Sequence, residues 1–401
     1  MKILIDAQAI QNSSRHRGIG RYSELFIDNL IKYSNEDIHL LFNSSFTDNL
    51  NILNKKYTNF ISDSKVHIFE VNGNVSVINK ENDVYRHIAE EYRLNCINEV
   101  SPDVLINSSI IDSMLDNTVM SLDDERNYIN ICMFYDAIPL LYPDQYLSDI
   151  DYRKCYYDKK DIFCSSDLLL AISDQSKAEA IKFFDIDSTK IHSISSASDK
   201  KFSKNNYSFD NANDFYSSFN IKKSYLLYVG ASDSRKNIYG LLRAYSLLEN
   251  SIKNSYQLII AGDIPEFHIN DFLKKANELS INKDDLIIIN RPLDEELIML
   301  YNLCELFVFP SFHEGFGLTV LEAMSCGCPV IASNIPSMSN LLKDDNLLFD
   351  PNNPVEITDK IQYLLKNKTD LLKAKDFCYE RSKDYSWENV VKHTMSFLND
   401  L

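Results

Sequence analysis

Leu306-Phe307-Val308-Phe309-Pro310-Ser311-Phe312-His313-Glu314-Gly315-Phe316-Gly317-Leu318-Thr319-Val320-Leu321-Glu322-Ala323-Met324-Ser325 reads as three consecutive pieces. The apolar run Leu306–Phe309 is short enough for a buried strand. Pro310 ends it, and a loop with two glycines follows. From Thr319 to Ser325 the apolar spacing is helical. A strand that hands over to a helix through so short a loop is one step of an α/β winding.

Working outward, the same step repeats. Strands are expected at Tyr225–Val229, Leu258–Ala261, Leu286–Ile289, Pro329–Ala332 and Leu347–Phe349. Helical spacing falls between them at Ile238–Glu249, Asn270–Ser280, Asp294–Leu303 and Pro354–Leu365. Alternation with short connections specifies a parallel sheet covered by helices on both faces. The first half repeats the pattern more loosely. Its strands are expected at Lys2–Asp6, Ile38–Phe42, Val66–Val71, Val104–Ile106, Tyr128–Phe134, Leu168–Ala171 and Lys190–Ser195, and its helices at Gly20–Lys32, Val84–Val100 and Asp174–Phe184. Ser198–Lys223 is rich in Asn, Ser, Asp and Lys and reads as a linker. The chain is thus expected to be α/β, with two doubly wound Rossmann-like domains at residues 1–205 and 206–384. Residues 385–401, with Trp387, Val390, Val391, Met395 and Leu398 on one face, form a helix that needs a surface to cover.

Composition narrows the function. Among 401 residues, Lys and Arg total 41 and Asp and Glu 58, a formal charge of −17. That balance excludes a whole-chain positive field for nucleic acid. The eight cysteines show no Cys-x-x-Cys pair, so neither a zinc nor a redox site is expected, and the free thiols fit a reducing cytoplasm. The start, Met1–Asp6, is too short in apolar residues for a signal peptide and reads as the first strand. No apolar run is long enough to span a bilayer. Glycine numbers only 9, against roughly 28 at average usage. Seven of the nine (Gly18, Gly20, Gly230, Gly262, Gly315, Gly317 and Gly327) are expected where a strand hands over to a loop or helix. In open α/β sheets ligands bind at such carboxyl ends, so the glycines predict a cleft lined by strand ends of both domains. Gly73 and Gly240 have no such account.

Three stretches carry chemistry. In the first, Gly315 and Gly317 remove side chains that would block a phosphate, and the amides of Phe316, Leu318 and Thr319 stand at a helix start. Glu314 and Glu322 can each accept two hydroxyl hydrogen bonds, as a sugar or ribose offers. Thr319-x-x-Glu322 is equally a capping box, which needs no ligand. In the second, Val229-Gly230-Ala231-Ser232-Asp233-Ser234-Arg235-Lys236-Asn237, two cations stand before a helix, against its dipole. A diphosphate explains them better than a solvated pair, with Arg235 forking to oxygens and Lys236 as a point charge. In the third, Ser14-Arg15-His16-Arg17-Gly18-Ile19-Gly20-Arg21-Tyr22, three arginines and two glycines precede a helix. Ser23 replaces the last glycine of a dinucleotide fingerprint, which disfavours a nicotinamide enzyme but leaves anion binding open. Asp136, in Phe134-Tyr135-Asp136-Ala137-Ile138-Pro139, stands just past a strand. A site residue and a turn Asp explain it equally.

Together these residues resemble the retaining GT-B glycosyltransferases of glycosyltransferase family 4. The Glu314–Glu322 spacing with its glycines is the most specific part, followed by Arg235-Lys236-Asn237. The stretch from Asp6 to Tyr22 looks most like the branch that builds bacterial O-antigen and other surface polysaccharides, several members of which are mannosyltransferases. The resemblance implies two Rossmann-like domains facing an inter-domain cleft, with the C-terminal helix crossing back onto the first. It implies that Glu314 holds donor-sugar hydroxyls and Glu322 the ribose. Arg235, Lys236 and the backbone of Gly315–Thr319 would hold the diphosphate, and Arg291, Pro292 and Leu293 would flank the base. Gly18 and Gly20 would let their loop close on the diphosphate. Asp136 would lie near the reacting carbon or the acceptor. Many relatives have a histidine beside that aspartate, where this chain has Tyr135.

The chemistry so implied is α-glycosyl transfer with retention, from a nucleoside-diphosphate sugar to a glycan or lipid-linked saccharide. GDP-mannose is the first donor expected and a UDP-hexose the second. No metal is expected, because Arg235, Lys236 and the helix start supply the positive charge at the leaving group. The enzyme would be cytoplasmic, with lipid-linked acceptors allowing peripheral association with the inner membrane face. Two other readings share these residues: a nucleotide-sugar epimerase, which needs no acceptor, and a non-catalytic glycosyltransferase-like partner subunit.

Overall fold

Runs such as Ile3–Ile5, Leu226–Val229 and Leu306–Phe309 have no polar face, so each strand must be covered on both sides. The computed structural model, which describes residues 1–111, 114–121, 125–207 and 209–399 (backbone only at 209–211), solves this with two parallel sheets. The chain divides into two compact units, Met1–Ser196 with the segment from Trp387, and Ala197–Ser386.

Among the described residues the first unit has seven strands: β1 (Lys2–Asp6), β2 (Asp37–Asn43), β3 (Val66–Phe69), β4 (Val104–Asn107), β5 (Ile129–Phe134), β6 (Leu168–Ala171) and β7 (Ile191–Ser193). Their order is β3-β2-β1-β4-β5-β6-β7, so the winding reverses between β1 and β4. Asp6 and Asn107 are register partners at that reversal. Helices Gly18–Tyr33, Asp83–Val100, Ile150–Cys164 and Asp174–Phe184 connect the strands. Phe134, Phe163 and Phe184 meet in one apolar cluster, and Leu4, Leu41, Ala89 and Ile97 in another. The helix Trp387–Asn399 closes this unit by packing on Gly18–Tyr33, with the Trp387 ring edge-on to Tyr22 at 5.2 Å. Positions 400 and 401 of the expected last segment lie outside the described residues.

The second unit has six: β8 (Ser224–Val229), β9 (Tyr256–Gly262), β10 (Leu286–Asn290), β11 (Leu306–Phe309), β12 (Val330–Ser333) and β13 (Leu348–Phe349). Their order is β10-β9-β8-β11-β12-β13, reversing between β8 and β11. Both reversals are where an open α/β sheet leaves a crevice at its carboxyl edge.

Two expectations change. Ser198–Lys223 is not a bare linker. Ser198 Oγ meets Ser325 Oγ at 2.9 Å, Lys201 pairs with Asp294 at 2.8 Å, and the Asn205 amide donates to Asn302 Oδ1 at 2.7 Å. A helix, Phe209–Ser218, follows, with Phe215 buried and Tyr216 edge-on to Tyr225. Its polar composition hides this because a few aromatics, not an aliphatic stripe, do the packing. Those contacts place residues 197–205 with the second unit, where the boundary was expected after residue 205. Gly327 also moves: it follows the helix Leu318–Ser325 and leads into β12, on the opposite edge from the strand ends. Its φ of +72 serves an ordinary helix exit.

Candidate functional site

β8 and β11 lie side by side, so the loops after them leave the same carboxyl edge. After β8 comes the loop from Gly230, one 3-10 turn at Ser234–Lys236, and then Asn237 at φ +55. Asn237 Oδ1 caps the helix Ile238–Leu247 by accepting from the Gly240 amide at 3.2 Å. Its Nδ2 donates to the carbonyls of Pro310 (3.1 Å) and Pro351 (2.8 Å). The Phe312 amide donates to the Arg235 carbonyl at 2.8 Å. One asparagine and one backbone bond thus tie the loop after β8 to the loop after β11. Gly240 has its account here, because a Cβ would strike the Asn237 amide.

This stitching brings Arg235 and Lys236 onto Glu314. Lys236 Nζ lies 2.7 Å and Arg235 Nη1 3.1 Å from the same oxygen, Oε1. Arg235 Nη1 also donates to the His313 carbonyl at 2.5 Å, and Asp233 lies 3.4 Å from its Nε. Glu314 is 8% exposed. Burial alone would raise its carboxyl, but the two cations outweigh that and hold it down at about 2. Burial and the like charge of Arg235 push the Lys236 ammonium down, against the pull of Glu314.

Beyond Glu314, Gly317 sits at φ +109 as N-cap of Leu318–Ser325, and no side chain caps this helix. That φ is one side-chain-bearing residues rarely adopt, so the position favours glycine, and a Cβ there would also have to displace the Met338 methyl. The first amides of the helix, at Leu318 and Thr319, thus stand at an N-terminus that no side chain caps, the kind of end at which an anion can be bound. The Phe316 ring is buried edge-on against Tyr385 at 5.7 Å. The capping box does not form: Gly317, not Thr319, is the N-cap. Glu322 is instead 7% exposed and accepts the Tyr301 hydroxyl at 3.0 Å. Tyr301, on the helix Asp294–Leu303, gave no signal in the sequence, since nothing in its spacing relates it to Glu322.

Arg291, Pro292 and Leu293 lie past β10, two strands from the cations. Arg291 is left-handed at φ +52, with its amide on the Gly262 carbonyl at 2.8 Å and its exposed guanidinium on Asp263 at 2.6 Å. Leu293 is 64% exposed. A Cβ on Gly262 would fall on the Gly230 carbonyl, so β9 and the loop after β8 touch through backbone. Ser232, in that loop, hydrogen-bonds His268 Nδ1 at 2.7 Å, a contact with no sequence signal.

Comparison with known proteins places the chain. Residues 210–383 match the family described as glycosyl transferases group 1. O-antigen chain mannosyltransferase B of Escherichia coli is 30% identical over 271 residues, 66% of this chain and 69% of the relative. The chain belongs to this glycosyltransferase family. The serotype-specific mannosyltransferase WbdA of Escherichia coli is 31% identical over 394 residues, 98% of this chain but 47% of the relative. The chain thus spans about half the length of that relative. A crystal structure of Anabaena HepE in complex with UDP and glucose superposes with a TM-score of 0.71 over 100% of both chains at 14% identity. The two Rossmann-like sheets are those of the GT-B fold.

The first unit of this glycosyltransferase-family chain carries the remaining candidates. Gly18 opens the helix Gly18–Tyr33 in open space, whereas a Cβ on Gly20 would strike the Ser14 backbone. Arg15 hydrogen-bonds Asn49, and His16 and Arg17 are exposed. Asp136 Oδ1 accepts from the Ile138 amide at 3.0 Å, so the turn role is real. Its neighbour Tyr135 is bound at both sides, to the Ser108 carbonyl and Ser23 Oγ, each at 2.7 Å. Tyr135 therefore fastens the ends of β4 and β5 to the first helix. Buried Glu179, unmarked in the sequence, accepts the Ala137 amide at 3.0 Å. No described helix is long and apolar enough to cross a membrane.

Proposed function

We propose that this chain is a retaining hexosyltransferase of surface-polysaccharide synthesis. Its donor is GDP-mannose, with a UDP-hexose as second choice, and its acceptor is a glycan or lipid-linked saccharide. One observation carries this reading: Arg235 and Lys236 converge on one buried carboxylate oxygen, beside a helix start without a side-chain cap. Two relatives near 30% identity are named as mannosyltransferases, which favours mannose. The HepE structure holds UDP and glucose, which supports a nucleotide-sugar donor in general.

The chemistry follows from charge. Glu314 keeps two cations gathered in a buried place. A diphosphate entering there becomes their partner, which releases the carboxylate to accept sugar hydroxyls. When the bond from the anomeric carbon to the phosphate oxygen breaks, negative charge grows on the leaving group. Arg235, Lys236 and the amides of Leu318 and Thr319 stabilise it where a metal ion otherwise would. The acceptor oxygen attacks from the same face, and its proton passes to the departing phosphate. Glu322 is assigned to the ribose, Arg291, Pro292 and Leu293 to the base, Gly18 and Gly20 to the diphosphate, and Asp136 to the acceptor side. A cytoplasmic enzyme meeting lipid-linked acceptors would work at the inner membrane face.

The test is a thermal-shift panel of nucleotide sugars, since a true donor raises the melting point by mass action. It is followed by a transfer assay of Glu314→Gln. Turnover is expected to fall about a hundredfold or more with the fold kept. Wild-type turnover in that variant, or conversion of the sugar nucleotide without an acceptor, overturns the reading.

A further inference from the structure

Arg93 is fully buried on the helix Asp83–Val100, far in sequence from every residue assigned above. Its Nε lies 2.8 Å from Asp6 Oδ2 and its Nη2 2.7 Å from the same oxygen. Nη2 also donates to Asn107 Oδ1 at 2.8 Å, and Nη1 to the Ser121 carbonyl at 2.9 Å. One guanidinium therefore clamps the last residues of β1 and β4, the register partners where the sheet order reverses.

The hydrogen bonds continue into the loop after β1. Asp6 Oδ1 accepts from the Gln8 amide at 3.2 Å and from its Nε2 at 3.0 Å. The Gln8 side chain is then fully used: Nε2 also donates to the Val119 carbonyl at 2.8 Å, and Oε1 accepts from the Val119 amide and Asn43 Nδ2, both at 2.9 Å. Asn43 and Gln11 exchange two bonds, from the Asn43 amide to Gln11 Oε1 (2.8 Å) and from Gln11 Nε2 to the Asn43 carbonyl (3.1 Å). Asn49 donates to the Gln11 carbonyl at 2.6 Å and accepts from Arg15. An unbroken path runs from Arg93 to Arg15, and its members Asp6, Gln8, Asn43 and Gln11 are all buried.

A buried ion pair is poor material for stability, since apolar residues of similar volume often serve as well or better. It is good material for fixing a geometry, because every lone pair and N–H demands a partner in place. We propose that Arg93, acting through Asp6 and Gln8, is the positioning residue of the loop between β1 and the helix Gly18–Tyr33. It sets Arg15 and the head of that helix before substrate arrives. The consequence for catalysis rests on the proposed function; the consequence for the loop does not.

The test uses the full chain with Arg93→Met and Gln8→Met. The second variant cuts the path on the loop side and leaves the Arg93–Asp6 pair intact; if Arg93→Met fails to fold, Arg93→Lys, which keeps the charge but cannot fork to both Asp6 and Asn107, takes its place. Hydrogen exchange of amides 8–17 is expected to quicken about tenfold or more in each folded variant, with the second unit unchanged. In transfer from GDP-mannose, the donor KM is expected to rise about tenfold while kcat changes less. Unchanged exchange of the loop in Gln8→Met overturns the proposal. So does a loss confined to kcat, because a merely structural role lowers the active fraction and leaves KM alone. If the wild-type chain transfers sugar from neither GDP-mannose nor UDP-glucose, the functional reading fails, and the exchange measurement still decides the role of Arg93.

Discussion

At the scale of the residue, the decisive object is one oxygen of Glu314 shared by a lysine and an arginine. Removing Lys236 leaves Arg235 to hold the carboxylate, so Lys236→Ala is expected to fold. Its loss should appear in binding, with affinity for GDP falling about tenfold to a hundredfold, as for a deleted hydrogen bond to a charged group. Calorimetry checks this, and equal affinity would remove Lys236 from the proposed diphosphate site. The depressed carboxyl also has a pH signature. Its folded value of about 2 lies below the ordinary 4.5, so the stabilisation is complete above 4.5 and fades as the pH falls towards 2. The melting-point gap between wild type and Glu314→Gln should therefore be widest near neutrality and narrow below pH 4.5. A gap that widens on acidification would contradict the pairing.

At the scale of the element, the two glycine clusters are not equivalent. Gly317 sits at φ +109, so Gly317→Ala should cost about 1–3 kcal/mol and disturb the helix start assigned to the proposed donor. Gly18 has nothing near its missing Cβ, so Gly18→Ala should leave stability within about 1 kcal/mol of wild type. Chemical denaturation of both variants tests the contrast, and a loss of transfer in stable Gly18→Ala would mark a ligand contact at that position. The same scale shows what was legible beforehand. All thirteen strands among the described residues were anticipated to within a few residues, because an apolar run between turn residues has few other readings. The helices Thr47–Tyr57, Ile150–Cys164 and Lys368–Ser382 were not. On Lys368–Ser382 the covered face is Leu371, Ala374, Cys378 and Ser382, too small and mixed to stand out among its charges. The acids and cations of the site were legible from their spacing around glycines. Tyr301, Asn43 and Arg93 were not, because their partners are brought to them only by the sheet.

At the scale of the whole molecule, the helix Trp387–Asn399 belongs to the unit that began almost four hundred residues earlier. Trp387, Val390, Val391 and Leu398 are buried, each contributing about 1.5–3 kcal/mol. A chain truncated after Ser386 should lose the thermal stability of its first unit and keep GDP binding by the second. Differential scanning calorimetry with and without GDP separates the two, and a truncation that spares the first unit would count against this packing. The same helix bears on synthesis. The second unit is one continuous segment of 190 residues, from 197 to 386, and can close once its own chain is made. The first unit, though made earlier, leaves the Tyr22 face of its helix Gly18–Tyr33 without Trp387 until those 190 residues have followed. At ribosomal speeds that wait is about 10–40 s. Of these two units the one synthesised first is thus completed second, and for that interval it is the one that a chaperone would need to shield.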